Sequence, residues 1–207
     1  FLDKTGFPAD FISEAIDQTR GWFYTLHAVG VLLGKGRAYK NVICLGHILD
    51  KEGKKMSKSV GNVVNPWEMI DRYSVDALRF WMYSVNQSGD SKNFDEKTVD
   101  EIVKRFFNIL SNVYSFYELY ADKNQHERVE TEANIPESKN ILDKWILSRL
   151  AELTELVTNK LDNYKLLEPT RTIREFVSDL STWYLRRSRD RFKSDDQVDA
   201  EVAVKTL

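Results

Sequence analysis

The 207 residues carry 30 Lys and Arg against 32 Asp and Glu, a formal net charge of −2, and 42% of them are hydrophobic. That balance excludes a molecule-wide positive field, so contact with a polyanion must come from local patches, while the apolar fraction suffices for one large domain or two small ones. The single cysteine, Cys44, excludes an internal disulfide and any multi-cysteine zinc site, and no apolar run is long enough to cross a bilayer.

In chain order, Phe11-Ile12-Ser13 predicts a first strand, and Trp22, Phe23, Leu26, Val29 and Leu33 fall at helical spacing within a helix over residues 18–33. An apolar run within residues 41–50 predicts a second strand, and Lys51-Glu52-Gly53 supplies turn chemistry after it. Strand, helix, strand is the α/β rhythm, in which ligands gather beyond the carboxyl ends of the strands. Glu14, Asp17 and Gln18 stand at that position, with Arg20 beside them to pair with either acid. Two readings stay open for Asp17, a helix N-cap or a ligand contact, and two for Trp22, a core aromatic or a pocket wall.

Residues 55–59 read Lys55-Met56-Ser57-Lys58-Ser59, two ammonium groups and two hydroxyls in a turn-sized segment flanked by Gly53 and Gly61. Lysines three residues apart can close on phosphate oxygens while serine hydroxyls add hydrogen bonds, and such a loop can stabilise the charge of a departing pyrophosphate. The plainer alternative is a solvated basic turn. Asn65-Pro66-Trp67-Glu68 then provides an N-cap, a first-turn proline and an acid, so a helix begins at Pro66 and runs to Tyr73. A second helix spans 75–83, with a loop through Gln87-Ser88-Gly89-Asp90.

From Asp95 onward the pattern is helical. Val99, Ile102, Val103, Phe106, Ile109, Leu110, Val113, Phe116 and Tyr117 form one stripe, a polar stretch covers 122–140, and two further helices cover 141–161 and 169–191. Three antiparallel helices make a bundle, incomplete at Leu207. In the last helix Arg186, Arg187, Arg189, Arg191 and Lys193 interleave with Trp183, Tyr184 and Phe192, which fits either RNA backbone contact or a salt-bridge network to neighbouring helices. His27 and His47 have no metal-ligand spacing with each other or with Cys44, so zinc is not expected.

These strings carry a resemblance. Gly53-Lys54-Lys55-Met56-Ser57-Lys58-Ser59-Val60-Gly61-Asn62 resembles the KMSKS signature of class I aminoacyl-tRNA synthetases. Glu14-Ala15-Ile16-Asp17-Gln18-Thr19-Arg20-Gly21-Trp22-Phe23 is similar to the adenylate-binding segment of the isoleucyl family, and the stretch from Trp183 to Phe192 resembles that family's anticodon-binding helices. Aspartate, glutamine and the Arg-Gly-Trp-Phe string speak against a valyl or leucyl relative.

The resemblance implies the carboxyl-terminal part of a Rossmann-like catalytic domain over 1–60, a helical connector over 61–95 and a partial anticodon-binding bundle over 96–207. It implies ATP with Mg2+, isoleucine and tRNA(Ile) as partners, no membrane, and a cytoplasmic setting. Lys55 and Lys58 are implied to be catalytic and, with Met56, Ser57 and Ser59, to hold ATP. Glu14, Asp17, Gln18 and Trp22 are implied to line the aminoacyl-adenylate, and Arg186, Arg187, Arg189 and Arg191 to meet tRNA. Ala15 replaces an expected glycine, and Ser74-Val75-Asp76 replaces an expected Gly-Ala-Asp. The family's His-Ile-Gly-His type signature and its editing insertion are not in the sequence, so the chain reads as an internal piece, inactive in isolation, of an isoleucine-tRNA ligase. The alternative function is a non-catalytic tRNA-binding module.

Overall fold

A computed structural model describes residues 6–121 and 138–207. Most of the polar stretch expected over 122–140 lies outside the described residues. The chain divides into two compact units, the first reaching Thr98 and the second spanning Val99–Leu207.

In the first unit, β1 (Ala9–Ala15) pairs in parallel with β2 (Tyr39–Leu45), Glu14 opposite Cys44 and Ala15 opposite Leu45. Parallel strands need a crossover, and α1 (Trp22–Leu32) supplies it. Ile12, Phe23 and Ala38 are buried. The strand is longer than its three-residue apolar signal, because pairing with β2 recruits the polar residues that flank it. The helix begins later than expected: residues Ile16–Arg20 form a 3-10 turn that ends at Gly21 before α1 starts. Only Phe23 of the predicted α1 stripe is buried, whereas Trp22, Val29 and Leu33 are exposed, since a two-stranded sheet covers only a narrow face of the helix.

Beyond β2 the chain enters β3 (Ile48–Leu49), which pairs in parallel with β4 (Lys92–Asn93). Between them lie α2 (Pro66–Tyr73) and α3 (Val75–Ser84). The Asn65 side chain accepts from the Trp67 N–H at 3.1 Å and donates to Glu68 at 3.0 Å, the expected start signal for α2. Ser74 joins the helices at φ 83°, ψ 155°, backbone that glycine adopts freely and serine does not. Its hydroxyl accepts from the Ala77 N–H at 3.3 Å, so the residue that strains the junction also caps α3. Ala15, the other departure from the family pattern, has φ −69° and ψ 160°, extended backbone that alanine accepts without strain. Fully buried Trp81 anchors this region: its ring meets Phe94 edge-on at 5.0 Å and its N–H donates to Thr98 at 2.7 Å.

The helix α4 (Glu96–Ile102) carries the chain into the second unit, where a π-helical turn over Val103–Phe107 leads into α5 (Asn108–Ala121). Then come α6 (Ile141–Asp162) and α7 (Leu167–Ser178), followed by a π-helical segment over Asp179–Leu185 and short α8 (Arg186–Ser188). The predicted stripe over 99–117 is thus one rod with a widened turn, and the helix expected at Pro169 starts two residues earlier, placing proline in the first turn where it is tolerated. One element was not foreseen, α9 (Gln197–Thr206), capped by Asp196, whose carboxylate accepts from the Val198 and Asp199 N–H groups. Val113, Tyr120, Leu185, Phe192, Ala203 and Val204 form a core cluster of the second unit, to which α9 contributes Ala203 and Val204.

Candidate functional site

In the first unit, parallel pairing brings the carboxyl ends of β1 and β2 to one sheet edge. From β1 the chain leaves through Glu14 and the 3-10 turn, and from β2 it leaves through Gly46 and β3 into the lysine loop. Gly46 is needed for close approach: a Cβ there would stand 2.2 Å from the Asp90 carbonyl oxygen, and its N–H donates to the Ser88 carbonyl at 2.9 Å. Lys92 holds the same 86–91 loop from inside, its ammonium donating to the Asn86 side chain at 2.6 Å and the Gln87 carbonyl at 2.8 Å. Burial pushes the Lys92 ammonium below its ordinary value.

Glu14 is exposed and its carboxylate has no hydrogen-bond partner among the described residues. Asp17 is not the N-cap of α1. Its carboxylate accepts from the Gln18 side-chain amide at 2.9 Å, and the Gln18 side-chain oxygen Oε1 accepts from the Trp22 N–H at 2.9 Å, so the glutamine side chain satisfies the first N–H of α1. Among the described residues Arg20 pairs with neither acid. Trp22 is 43% exposed beside Phe23, so the core reading of this aromatic does not hold within the described residues.

The lysine loop is more ordered than a solvated turn. Leu49 bridges Lys55 in antiparallel fashion, and the Asp50 N–H donates to the Lys54 carbonyl at 2.9 Å. One Asp50 carboxylate oxygen accepts from the Lys54 and Glu52 N–H groups at 2.8 and 3.0 Å, and the other accepts from the Asn62 side chain at 2.8 Å. That amide also donates to the Lys55 carbonyl at 3.2 Å, while its oxygen accepts from the Ser57 N–H at 2.8 Å. The Asn62 hydrogen bond and the loop amides hold the Asp50 carboxyl below its usual range. Gly53 and Gly61, at φ 78° and 74°, make the two turns. The Ser57 and Ser59 hydroxyls lie 2.8 Å apart, and Lys55 and Lys58 are exposed without an ion-pair partner among the described residues. Asp50 and Asn62 were missed by sequence reasoning; an aspartate three residues before a glycine and an asparagine just after one were the available signals.

In the second unit the arginines separate. Arg186, Arg187 and Arg189 are exposed. Arg187 stacks on Trp183 at 3.8 Å, and Arg189 lies over Phe116 at 5.7 Å. Arg191 corrects the sequence reading: its guanidinium donates to Asp143 at 2.6 and 2.9 Å and to Asp199 at 2.8 and 2.9 Å, and its side chain is 13% exposed. The ion-pair alternative holds for this residue, because four of its five N–H donors are spent on two carboxylates, which also neutralise its charge toward phosphate. Burial pushes Asp143 up, but hydrogen bonds from Arg191, Ser138 and Tyr184 outweigh it and leave the carboxyl low. Burial and the neighbouring Asp143 push the Tyr184 hydroxyl up. Among the described residues no three His, Cys, Asp or Glu side chains are grouped to hold a metal ion, and no helix is long and apolar enough to cross a membrane.

With this geometry in place, comparison with known proteins decides the family. Residues 3–95 match the family described as tRNA synthetases class I (I, L, M and V), and residues 143–207 match the anticodon-binding domain of tRNA ligase. The chain belongs to the class I tRNA synthetases. It is 47% identical over 204 residues to an isoleucine–tRNA ligase of Dehalococcoides mccartyi, covering 97% of this chain, and 46% identical over 207 residues to one of Clostridium novyi, covering all of it. The chain spans about 20% of the length of each of these relatives. Among solved structures, a Mycobacterium tuberculosis methionyl-tRNA synthetase bound by methionyl-adenylate superposes with a TM-score of 0.74 at 24% identity, covering 99% of this chain and 40% of that one. A LeuRS of Agrobacterium radiobacter, solved with tRNA and LeuAMS, gives 0.68 at 17% identity, covering 96% and 25%. These two likenesses concern the fold, α/β followed by helices.

Proposed function

We propose that this synthetase segment supplies the phosphate-gripping loop and part of the adenylate rim of an isoleucine–tRNA ligase, which activates isoleucine with ATP and transfers it to tRNA(Ile). In the first step a carboxylate oxygen of isoleucine attacks the α-phosphorus, the bond to the bridging oxygen breaks, and pyrophosphate leaves with the electron pair. In the second, a terminal ribose hydroxyl of the tRNA attacks the adenylate carbonyl and releases AMP.

Lys55 and Lys58 meet the charge that accumulates on pyrophosphate, and the Ser57 and Ser59 hydroxyls and the backbone around Met56 hold the phosphates in line. Glu14, Asp17 and Gln18 line the adenylate through its ammonium group, ribose or amide-reachable atoms, and Trp22 borders the isoleucine side chain. Mg2+ arrives with ATP as substrate. The observation that carries this reading is the ordered lysine loop, with both ammonium groups unpaired among the described residues, leaving the same sheet edge as Glu14.

The first unit then corresponds to the closing part of a Rossmann-like domain with its helical connector, and the second to an antiparallel anticodon-binding bundle, in a cytoplasmic protein. Arg186, Arg187 and Arg189 form its tRNA-facing patch, supported by their exposure and by the Trp183 stack. The exposed apolar residues of α1 and its C-cap, Leu32 at 84% and Leu33 at 61% among them, mark a surface that the remaining parts of the ligase cover. The test is charging by the full-length protein with tRNA(Ile): ATP-dependent esterification with isoleucine well above that with leucine or methionine supports the proposal, and charging with leucine or methionine instead contradicts it.

A further inference from the structure

Two side chains outside the five residues Lys55–Ser59 fix the shape of the loop. Asp50 sits at its entrance and Asn62 at its exit, joined at 2.8 Å across twelve positions of chain. Asn62 satisfies the Lys55 carbonyl and the Ser57 N–H, the two backbone groups that bracket Met56. Asp50 satisfies the N–H groups of Glu52 and Lys54 on the other side. The backbone bearing Lys55 and Ser57 is therefore held from both ends by one aspartate–asparagine strut, while the Lys55 and Lys58 ammonium groups remain free of carboxylates among the described residues.

We infer that Asp50 and Asn62 are positioning residues for adenylate formation, setting the height and register of Lys55, Ser57 and Lys58 against the triphosphate without touching it. The inference rests on the lysine loop being the phosphate-gripping element. A loop anchored only at its glycine turns would sample many lysine positions, and reactant misplacement of about 1 Å lowers a rate by on the order of 100-fold.

The experiment uses the full-length ligase and isoleucine-dependent ATP–pyrophosphate exchange. Asn62→Ala is expected to lower kcat by roughly 10- to 100-fold, with KM for isoleucine within about twofold of wild type and an unchanged melting temperature, because binding of the amino acid does not involve the loop. Asp50→Asn alone sets two amide donors against each other. Combined with Asn62→Asp it restores a donor–acceptor match between the side chains and keeps an acceptor for the Ser57 N–H, so the exchanged pair is expected to outperform either single change. A merely structural role predicts instead a lower melting temperature and parallel losses in kcat and in isoleucine binding, and that pattern overturns the inference. So does an Asn62→Ala enzyme with unaltered exchange, or an exchanged pair no better than the product of its single changes. Lys58→Ala separates the levels: if it abolishes exchange while Asn62→Ala leaves it intact, only the strut fails, and if Lys58→Ala itself exchanges normally, the reading beneath fails with it.

Discussion

Replacing Arg191 with alanine would leave the Asp143 carboxylate, which is 0% exposed, with only the hydroxyls of Ser138 and Tyr184 among the described residues, at 2.5 and 2.9 Å. A buried ion pair deprived of one partner costs about 3–5 kcal/mol, chiefly because the remaining charge has neither water nor a counterion. At about 4 °C per kcal/mol for a unit of this size, that is a fall of roughly 12–20 °C in melting temperature. The pH dependence adds a second signature. Asp143 and Asp199 both titrate below the ordinary carboxylate value in the folded protein, Asp199 through its hydrogen bonds with Arg191. Their stabilisation is complete above the unfolded carboxyl pKa, roughly 3.9, and is lost as pH falls through the lowered folded values. The gap between wild type and Arg191→Ala in urea or thermal unfolding should therefore be widest near neutrality and close in acid. Exposed Arg189 is the control, with alanine there costing about 0.5 kcal/mol or less. An Arg191→Ala protein that melts with wild type, or a gap that widens on acidification, refutes the reasoning.

Ser74→Gly should stabilise the first unit by about 1 kcal/mol in denaturant unfolding, since relief of the positive-φ strain outweighs the few tenths lost from the α3 cap. Gly46→Ala should destabilise it by about 1–3 kcal/mol or more, because the new methyl group meets the Asp90 carbonyl carbon and oxygen rather than a movable side chain. In the full-length ligase, Arg187→Ala should weaken tRNA binding and reduce the slope of log affinity against log salt by about 1, whereas Arg191→Ala should leave that slope unaltered.

The sequence showed these elements unevenly, for physical reasons. Asn65-Pro66-Trp67-Glu68 announced α2 because a cap is a local device, complete within four residues. The length of β1 was not legible, since Asp10 and Glu14 join the strand only through its partner thirty residues on. Capping of α1 by Gln18 was hidden because a 3-10 turn delays the helix, so the acid that looked like a cap falls outside it. At the site, Lys55 and Lys58 were visible by their charge and spacing, whereas Asp50 and Asn62 stand twelve positions apart and act by binding backbone groups, for which the glycines near them are only a weak signal. The arginine run gave one signal for two roles. Only the burial of Arg191 between Asp143 and Asp199 separates it from its exposed neighbours, and that pairing spans 48 positions of chain to Asp143.

The lysine loop as phosphate clamp is tested most directly by single-turnover adenylate formation in the full-length ligase with Lys58→Ala. The account predicts a first-order rate lowered by about 100-fold or more with isoleucine affinity unchanged, the pattern of a group that acts on the transition state. Adenylate formation at the wild-type rate, or a loss confined to isoleucine binding, would contradict it.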